Sequence, residues 1–275
     1  MIDAGVRRGA LRIFGLCLAL VLLIELALFV FQRRLIYHSV EYLPALLAKQ
    51  SAAEGFRPWP ALTGYRGLLS EPREGPSRGT ILHLHGNAGS ALDWTDFREF
   101  TSPLGYRLIL LEYPGFGARS GSPSENALVA DAASSVEMAR SEFGGPLFLF
   151  GESLGSGVAA ATVATAGKNV DGVLLATPWD NLPHVAQTAI WFLPVQWLVW
   201  DRFDSVQNLA GYAGPLAVIM ADQDELIPSR LTVRLYESFA GRKQLWRLEH
   251  ATHNTWQDST DRAWWEDVMG FLGGR

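Results

Sequence analysis

The chain has a single cysteine, Cys17, in 275 residues. An intrachain disulfide is therefore impossible, and so is a cysteine-based metal site. Positive charge is also in short supply: 23 Lys and Arg stand against 28 Asp and Glu, for a formal net charge of −5. That balance gives no electrostatic reason to expect a nucleic-acid partner. Charged residues make up only 19% of the chain against 48% apolar, which argues against disorder and provides ample material for a core. There is no internal repeat and no low-complexity tract. By length the chain is one large domain or two small ones. Lysine is scarce beside Ala, Gly, Leu and Arg, a composition that suits a GC-rich bacterial source.

Charge is also missing locally. From Ile13 to Phe31 run 19 residues with one charged side chain, Glu25. As a helix this stretch is about 28 Å long, close to the thickness of a bilayer's hydrocarbon layer. Arg7, Arg8 and Arg12 precede it, and Arg33 and Arg34 follow. Glu25 costs about 2–3 kcal/mol on insertion, which the many Leu, Ile, Val and Phe offset. Residues 1–37 therefore read as a single-pass membrane anchor. A cleaved leader competes with that reading, but no small-x-small site follows and Gln32-Arg33-Arg34 is unfavourable for one. A third reading is a helix packed on the domain or on a partner. Three Arg, less Asp3, before the run against two after it favour an N-terminus inside. The remaining domain is then expected on the non-cytoplasmic side of a bacterial inner membrane.

Residues 38–275 read as the remaining domain, which begins with a connector over 38–60 rich in turn chemistry. Apolar strands and helices then alternate. Strands are expected over Thr80–His85, Arg107–Glu112, Leu147–Phe150, Val170–Ala176, Leu216–Met220 and Gln244–Leu248. A short helix is expected over Ser90–Thr101, and longer ones over Glu125–Phe143 and Ala263–Leu272, the first from apolar residues at helical spacing. Strands this apolar, interleaved with helices, predict an α/β fold with a mostly parallel sheet covered on both faces. In such sheets ligands bind beyond the carboxyl ends of the strands.

The strand ends are where the chemistry gathers. Leu147–Phe150 leads into Gly151-Glu152-Ser153-Leu154-Gly155, and then into small residues suited to a helix start. A serine on a sharp strand-to-helix turn projects its hydroxyl where a base and a substrate can reach it. His85-Gly86-Asn87-Ala88-Gly89 follows a second strand, Asp222-Gln223-Asp224 a third, and His250 to Asn254 the last. Ser153 is the candidate nucleophile, because its hydroxyl attacks an acyl carbon only when a base removes the proton. His253 is the candidate base, with His250 as rival; His83 lies inside a strand and reads as a core histidine. Asp224 is the candidate carboxylate that orients the imidazole, with Asp222 as competitor. Backbone N–H groups of Leu154 and Asn87 are the candidate oxyanion hole. Asp131 reads as a solvated or capping carboxylate.

Together, His85–Gly89, Tyr113-Pro114-Gly115-Phe116-Gly117, Gly151–Gly155, Asp224-x-x-Ile227-Pro228 and His253-Asn254 resemble the α/β-hydrolase superfamily. The Ser, Asp, His chain order agrees with it. More narrowly, the chain is similar to the membrane-anchored BEM46-like serine hydrolases, from Phe31-Gln32-Arg33-Arg34 to the C-terminal helix. It departs at Ala221 and His250, where glycine is usual. The resemblance implies the α/β-hydrolase fold with a cap insertion at about 178–213. It also implies a serine hydrolase acting on carboxylic esters or thioesters through an acyl-enzyme, without cofactor or metal. The tryptophan-rich insertion suggests an apolar acyl pocket, with Trp191 and Trp197 as lining residues and Tyr113 as a wall. Packing on the core and resting on a membrane surface are the other readings of these tryptophans. The expected partners are a small-molecule or lipid acyl ester and the membrane. A peptidase or amidase on the same residues, and a non-catalytic binding protein on this scaffold, remain as alternatives.

Overall fold

The computed structural model describes residues 4–274, with side chains from residue 9 onward. Asp3, which enters the orientation argument, lies outside the described residues, as do the side chains of Arg7 and Arg8. The first element, α1 (Ala4–Ile36), runs unbroken. Residues Gly9–Ile36 of it are long and apolar enough to cross a membrane.

Eight strands form the central sheet: β1 (Arg57–Trp59), β2 (Gly67–Ser70), β3 (Thr80–Leu84), β4 (Arg107–Leu111), β5 (Leu147–Glu152), β6 (Gly172–Ala176), β7 (Leu216–Ala221) and β8 (Lys243–Leu248). Their spatial order is β8-β7-β6-β5-β3-β4-β2-β1. Neighbours from β8 to β4 are parallel, whereas β2 is antiparallel to both β4 and β1. The mostly parallel sheet agrees with the expectation from sequence. The two edge strands were not expected: β1 lies in the stretch read as connector, and β2 lies in residues that were assigned no element. They are only three and four residues long, too short for a period of two to show.

The remaining helices are α2 (Pro44–Ala53), α3 (Arg98–Thr101), α4 (Glu125–Phe143), α5 (Leu154–Ala166), α6 (Leu182–Ala189), α7 (Ser205–Leu209), α8 (Ser229–Ser238) and α9 (Arg262–Leu272). Apolar layers cover both faces of the sheet, one built on α4 and α5 and the other on α9 with the 3-10 turn Ala91–Phe97. That turn plus α3 occupies the span expected as one short helix. Its start is held by a capping box between Ser90 and Asp93. Between β6 and β7 lie α6, a 3-10 turn at Val195–Trp197 and α7, the insertion that stands over the sheet's carboxyl edge.

Candidate active site

Backbone strain marks the site first. Ser153 sits between β5 and α5 at φ 51° and ψ −115°, a conformation that costs a non-glycine residue about 1–3 kcal/mol. The turn is tight enough to dictate its flanking residues. A Cβ on Gly151 would run into the carbonyl oxygen of Gly155, and one on Gly155 into that of Leu84. The glycines of Gly-x-Ser-x-Gly are there because β5, β3 and the start of α5 leave no room for a methyl group.

The serine hydroxyl meets a hydrogen-bonded chain. Ser153 Oγ lies 2.9 Å from His253 Nε2, and His253 Nδ1 lies 2.7 Å from Asp224 Oδ2. Both His253 and the Asp224 side chain are buried. The other oxygen of Asp224 accepts the N–H groups of Leu226 and Ile227 at 2.9 and 2.7 Å. Those two bonds fix the carboxylate so that its free oxygen faces the imidazole. The sequence-level rivals are accounted for. Asp222 pairs with Arg247 on the surface at 2.8 Å, and His250 is exposed. His83 is buried among Trp94, Phe97 and Phe150, and burial lowers its pKa well below the usual histidine value.

Leu154 is the first residue of α5, so its N–H has no acceptor within the helix. Asn87 lies in the loop after β3 and lines the same cavity as Ser153 and Leu154. Its position is set by the chain leaving α1. Asn87 Nδ2 donates to the Ile36 carbonyl at 3.0 Å, and His38 N–H donates to the Asn87 carbonyl at 2.8 Å. His38–Ser39 then pairs in parallel with Ala88–Gly89.

A cavity of about 420 Å³ opens over the serine, within the range of small-molecule sites. Its walls come from Trp179, Leu182, Val185 and Ile190 of the insertion, and from Leu28, Gln32, Leu35 and Ile36 of α1. The expected pocket residues are placed differently. Tyr113 is fully buried beneath the site: its ring lies 4.2 Å from that of His85 and its hydroxyl donates to the His85 carbonyl at 2.8 Å. It supports the loop from below and does not line the cavity. Trp191 and Trp197 point outward and are strongly exposed. The insertion does line the cavity, but with aliphatic side chains and Trp179, because the apolar face of α6 turns inward and leaves the 191–197 turn outside.

Two buried carboxylates were missed in sequence, and a third was misread. Glu152, inside the motif, is buried and lines the cavity, accepting from Trp256 Nε1 at 3.2 Å. Burial pushes its carboxyl up to about 8, against the pull of the Trp256 and Gln257 N–H groups. Asp201 is buried and receives a two-point contact from Arg33, both bonds 3.0 Å, plus the Tyr37 hydroxyl at 2.8 Å. Asp131 is a buried ion-pair centre that holds Arg66 and Arg119, which corrects its reading as a solvated carboxylate. Charge alone could not distinguish these three from surface acids. Among the described residues no cluster of His, Cys, Asp and Glu could hold a metal ion.

Residues 79–198 match the family model described as alpha/beta hydrolase fold. With the sheet order and the strand-to-helix serine turn, this match identifies the architecture as the α/β-hydrolase fold. Among characterised relatives, lysophosphatidylserine lipase ABHD12 of Danio rerio is 32% identical over 190 residues, 62% of this chain and 49% of that protein. An uncharacterised protein of Mycobacterium tuberculosis is 27% identical over 201 residues, 72% of this chain and 71% of its own. The chain thus spans about half the length of the lysophosphatidylserine lipase it matches. Among solved structures, the esterase Est1E of Butyrivibrio proteoclasticus with bound ferulic acid superposes at a TM-score of 0.63, with 15% identity, covering 75% of this chain and 94% of that one. A monoacylglycerol lipase of Paleococcus ferrophilus superposes at 0.55, with 17% identity, covering 75% and 98%. At these identities the two structures speak to fold alone.

Proposed function

We propose that this α/β-hydrolase is a membrane-anchored serine hydrolase that cleaves the carboxylic ester or thioester of a single-chain acyl substrate. The observation that carries the reading is the hydrogen-bonded run Ser153 Oγ, His253, Asp224, at 2.9 and 2.7 Å, at the base of an apolar cavity. In this mechanism His253 Nε2 takes the Ser153 proton as Oγ attacks the acyl carbon. The oxyanion that forms accepts from the N–H groups of Leu154 and Asn87, each worth on the order of 3 kcal/mol in the transition state. His253 then passes its proton to the departing alcohol or thiol. Water, deprotonated by the same nitrogen, releases the acid. Asp224 holds the imidazole in the required tautomer and stabilises its charged form.

The substrate class takes support from the cavity's apolar walls and from the lysophosphatidylserine lipase relative. The anchor assignment takes support from the length and apolar character of α1. The membrane-anchored BEM46-like group, with the domain from residue 38 onward on the non-cytoplasmic side, is the membership we infer. The test is to treat the full chain in detergent micelles with a fluorophosphonate probe, beside Ser153→Ala. Labelling of the parent alone is expected. A folded parent that stays unlabelled would favour a non-catalytic binding protein.

A further inference from the structure

The end of α1 is not a free tether. Residues Glu25, Leu28, Phe29 and Gln32 fall on one helical face, and that face is partly or wholly covered, whereas residues 10–24 are exposed throughout. From Leu28 onward, what covers it is the insertion between β6 and β7. Gln32 Nε2 donates to the Leu198 carbonyl at 3.1 Å, and Gln32 Oε1 accepts from Trp200 N–H at 2.7 Å. The Phe29 and Trp200 rings meet edge to face at 4.9 Å. Phe29 and Leu28 belong to the apolar run, four to five residues before Arg33, about 6–8 Å further into that span. The insertion therefore reaches the level at which α1 enters the hydrocarbon layer.

Two further observations point the same way. The cavity over Ser153 extends to Leu28, so one of its walls belongs to the apolar span itself. Beside that wall the insertion presents Trp191, Phe192, Trp197 and Trp200 to the outside, at 79%, 65%, 78% and 52% exposure. A cluster of large aromatic side chains left open marks an interaction surface, and tryptophan is the side chain that favours the boundary between headgroups and acyl chains. Arg33, at the same level, lies 5.7 Å over the Trp200 ring.

We propose that this aromatic face rests in the bilayer interface, and that the substrate's acyl chain passes from the bilayer to Ser153 through the seam between α1 and the insertion, without crossing water. The route rests on the serine-hydrolase reading; the seat of the insertion in the bilayer does not. The occupant of the surface is the lipid interface, fixed there by its continuity with the membrane-spanning helix.

The test uses the full chain in phosphatidylcholine–phosphatidylglycerol vesicles and the variant Trp191→Ser/Phe192→Ser/Trp197→Ser, none of which lines the cavity. Two activities are read: hydrolysis of a long-chain monoacyl ester embedded in the vesicles, and hydrolysis of nitrophenyl butyrate in water. The variant is expected to lose at least about tenfold on the embedded ester while keeping its rate on the butyrate. Vesicles with brominated acyl chains are expected to quench tryptophan fluorescence in the parent, with most of that quenching gone in the variant. Equal rates on the embedded ester would overturn the route. Quenching unchanged in the variant would overturn the seat of the aromatic face. A parent inactive on both esters and unlabelled by fluorophosphonate would remove the hydrolase reading, and the route with it, while the quenching still decides the seat.

Discussion

Replacing Glu152 by glutamine isolates the cost of a buried carboxyl next to the candidate nucleophile. Burial lifts the Glu152 pKa from its ordinary 4.5 to about 8. Below about pH 4.5 the folded and unfolded chains both carry the proton, and the group costs nothing. As pH rises the unfolded chain releases its proton first, while the folded chain holds it until about 8, so stability falls across that window and levels above it. At about 1.4 kcal/mol per pH unit, the loss amounts to about 1 kcal/mol at pH 5, about 3 at pH 7 and about 5 at pH 9. Glutamine keeps the volume and keeps an acceptor for Trp256 Nε1, but has no proton to lose. Unfolding by urea in detergent micelles, followed by tryptophan fluorescence at pH 5, 7 and 9, reads the difference between Glu152→Gln and the parent. Every other titrating group cancels in that difference. The variant's advantage should grow with pH by several kcal/mol. An advantage that stays flat from pH 5 to 9 would refute the picture of a protonated carboxyl under the serine.

Other perturbations address the remaining parts of the site. Asp224→Asn should lower esterase turnover by about 10⁴ through the wrong His253 tautomer, and Asp222→Asn should leave it nearly unchanged; the reverse order would move the acid to Asp222. Gly155→Ala should destabilise the fold by about 1–3 kcal/mol or more, read in thermal unfolding, because the new methyl group meets the Leu84 carbonyl oxygen. A chain beginning at Val40 should react with fluorophosphonate far more slowly than the full chain, because it lacks the partners of Asn87, Ala88 and Gly89; equal rates would show that the loop holds its shape alone.

How legible the molecule was in its sequence depends on whether a feature is local. The six parallel strands and α4 were visible because a buried strand is a continuous apolar run and α4 repeats its apolar residues at helical spacing. Glu125–Phe143 was bounded correctly, since Ser124 caps its start and Gly144 ends it. Ser153, His253 and Asp224 stood out because each follows a strand end, and a parallel sheet brings its carboxyl ends together. The cavity walls were not legible. Whether Trp191 or Val185 faces the serine depends on how α6 packs across the molecule. The roles of Tyr113, Asp131 and Asp201 depend on partners 28, 65 and 168 residues away, which no local pattern encodes.

The Asp201 contact also decides between two pictures of α1. If the helix were only a tether, Asp201 would be a carboxylate buried in the insertion without a counter-charge, at a cost of several kcal/mol. Tyr37 and Gln32 would have no reason to be buried. With α1 in place, Arg33 and Tyr37 satisfy Asp201, Gln32 satisfies the Leu198 carbonyl and the Trp200 N–H, and Ile36 anchors Asn87. The chain beyond it is held as well: Val40 accepts from Gly117 N–H, and Tyr42 N–H donates to the Gly117 carbonyl, both at 2.8 Å. The last turn of α1 thus bonds both to the insertion that roofs the cavity and to the loop that carries Asn87. Shifting α1 relative to the domain breaks bonds to both at once, so the geometry around Ser153 depends on where α1 sits.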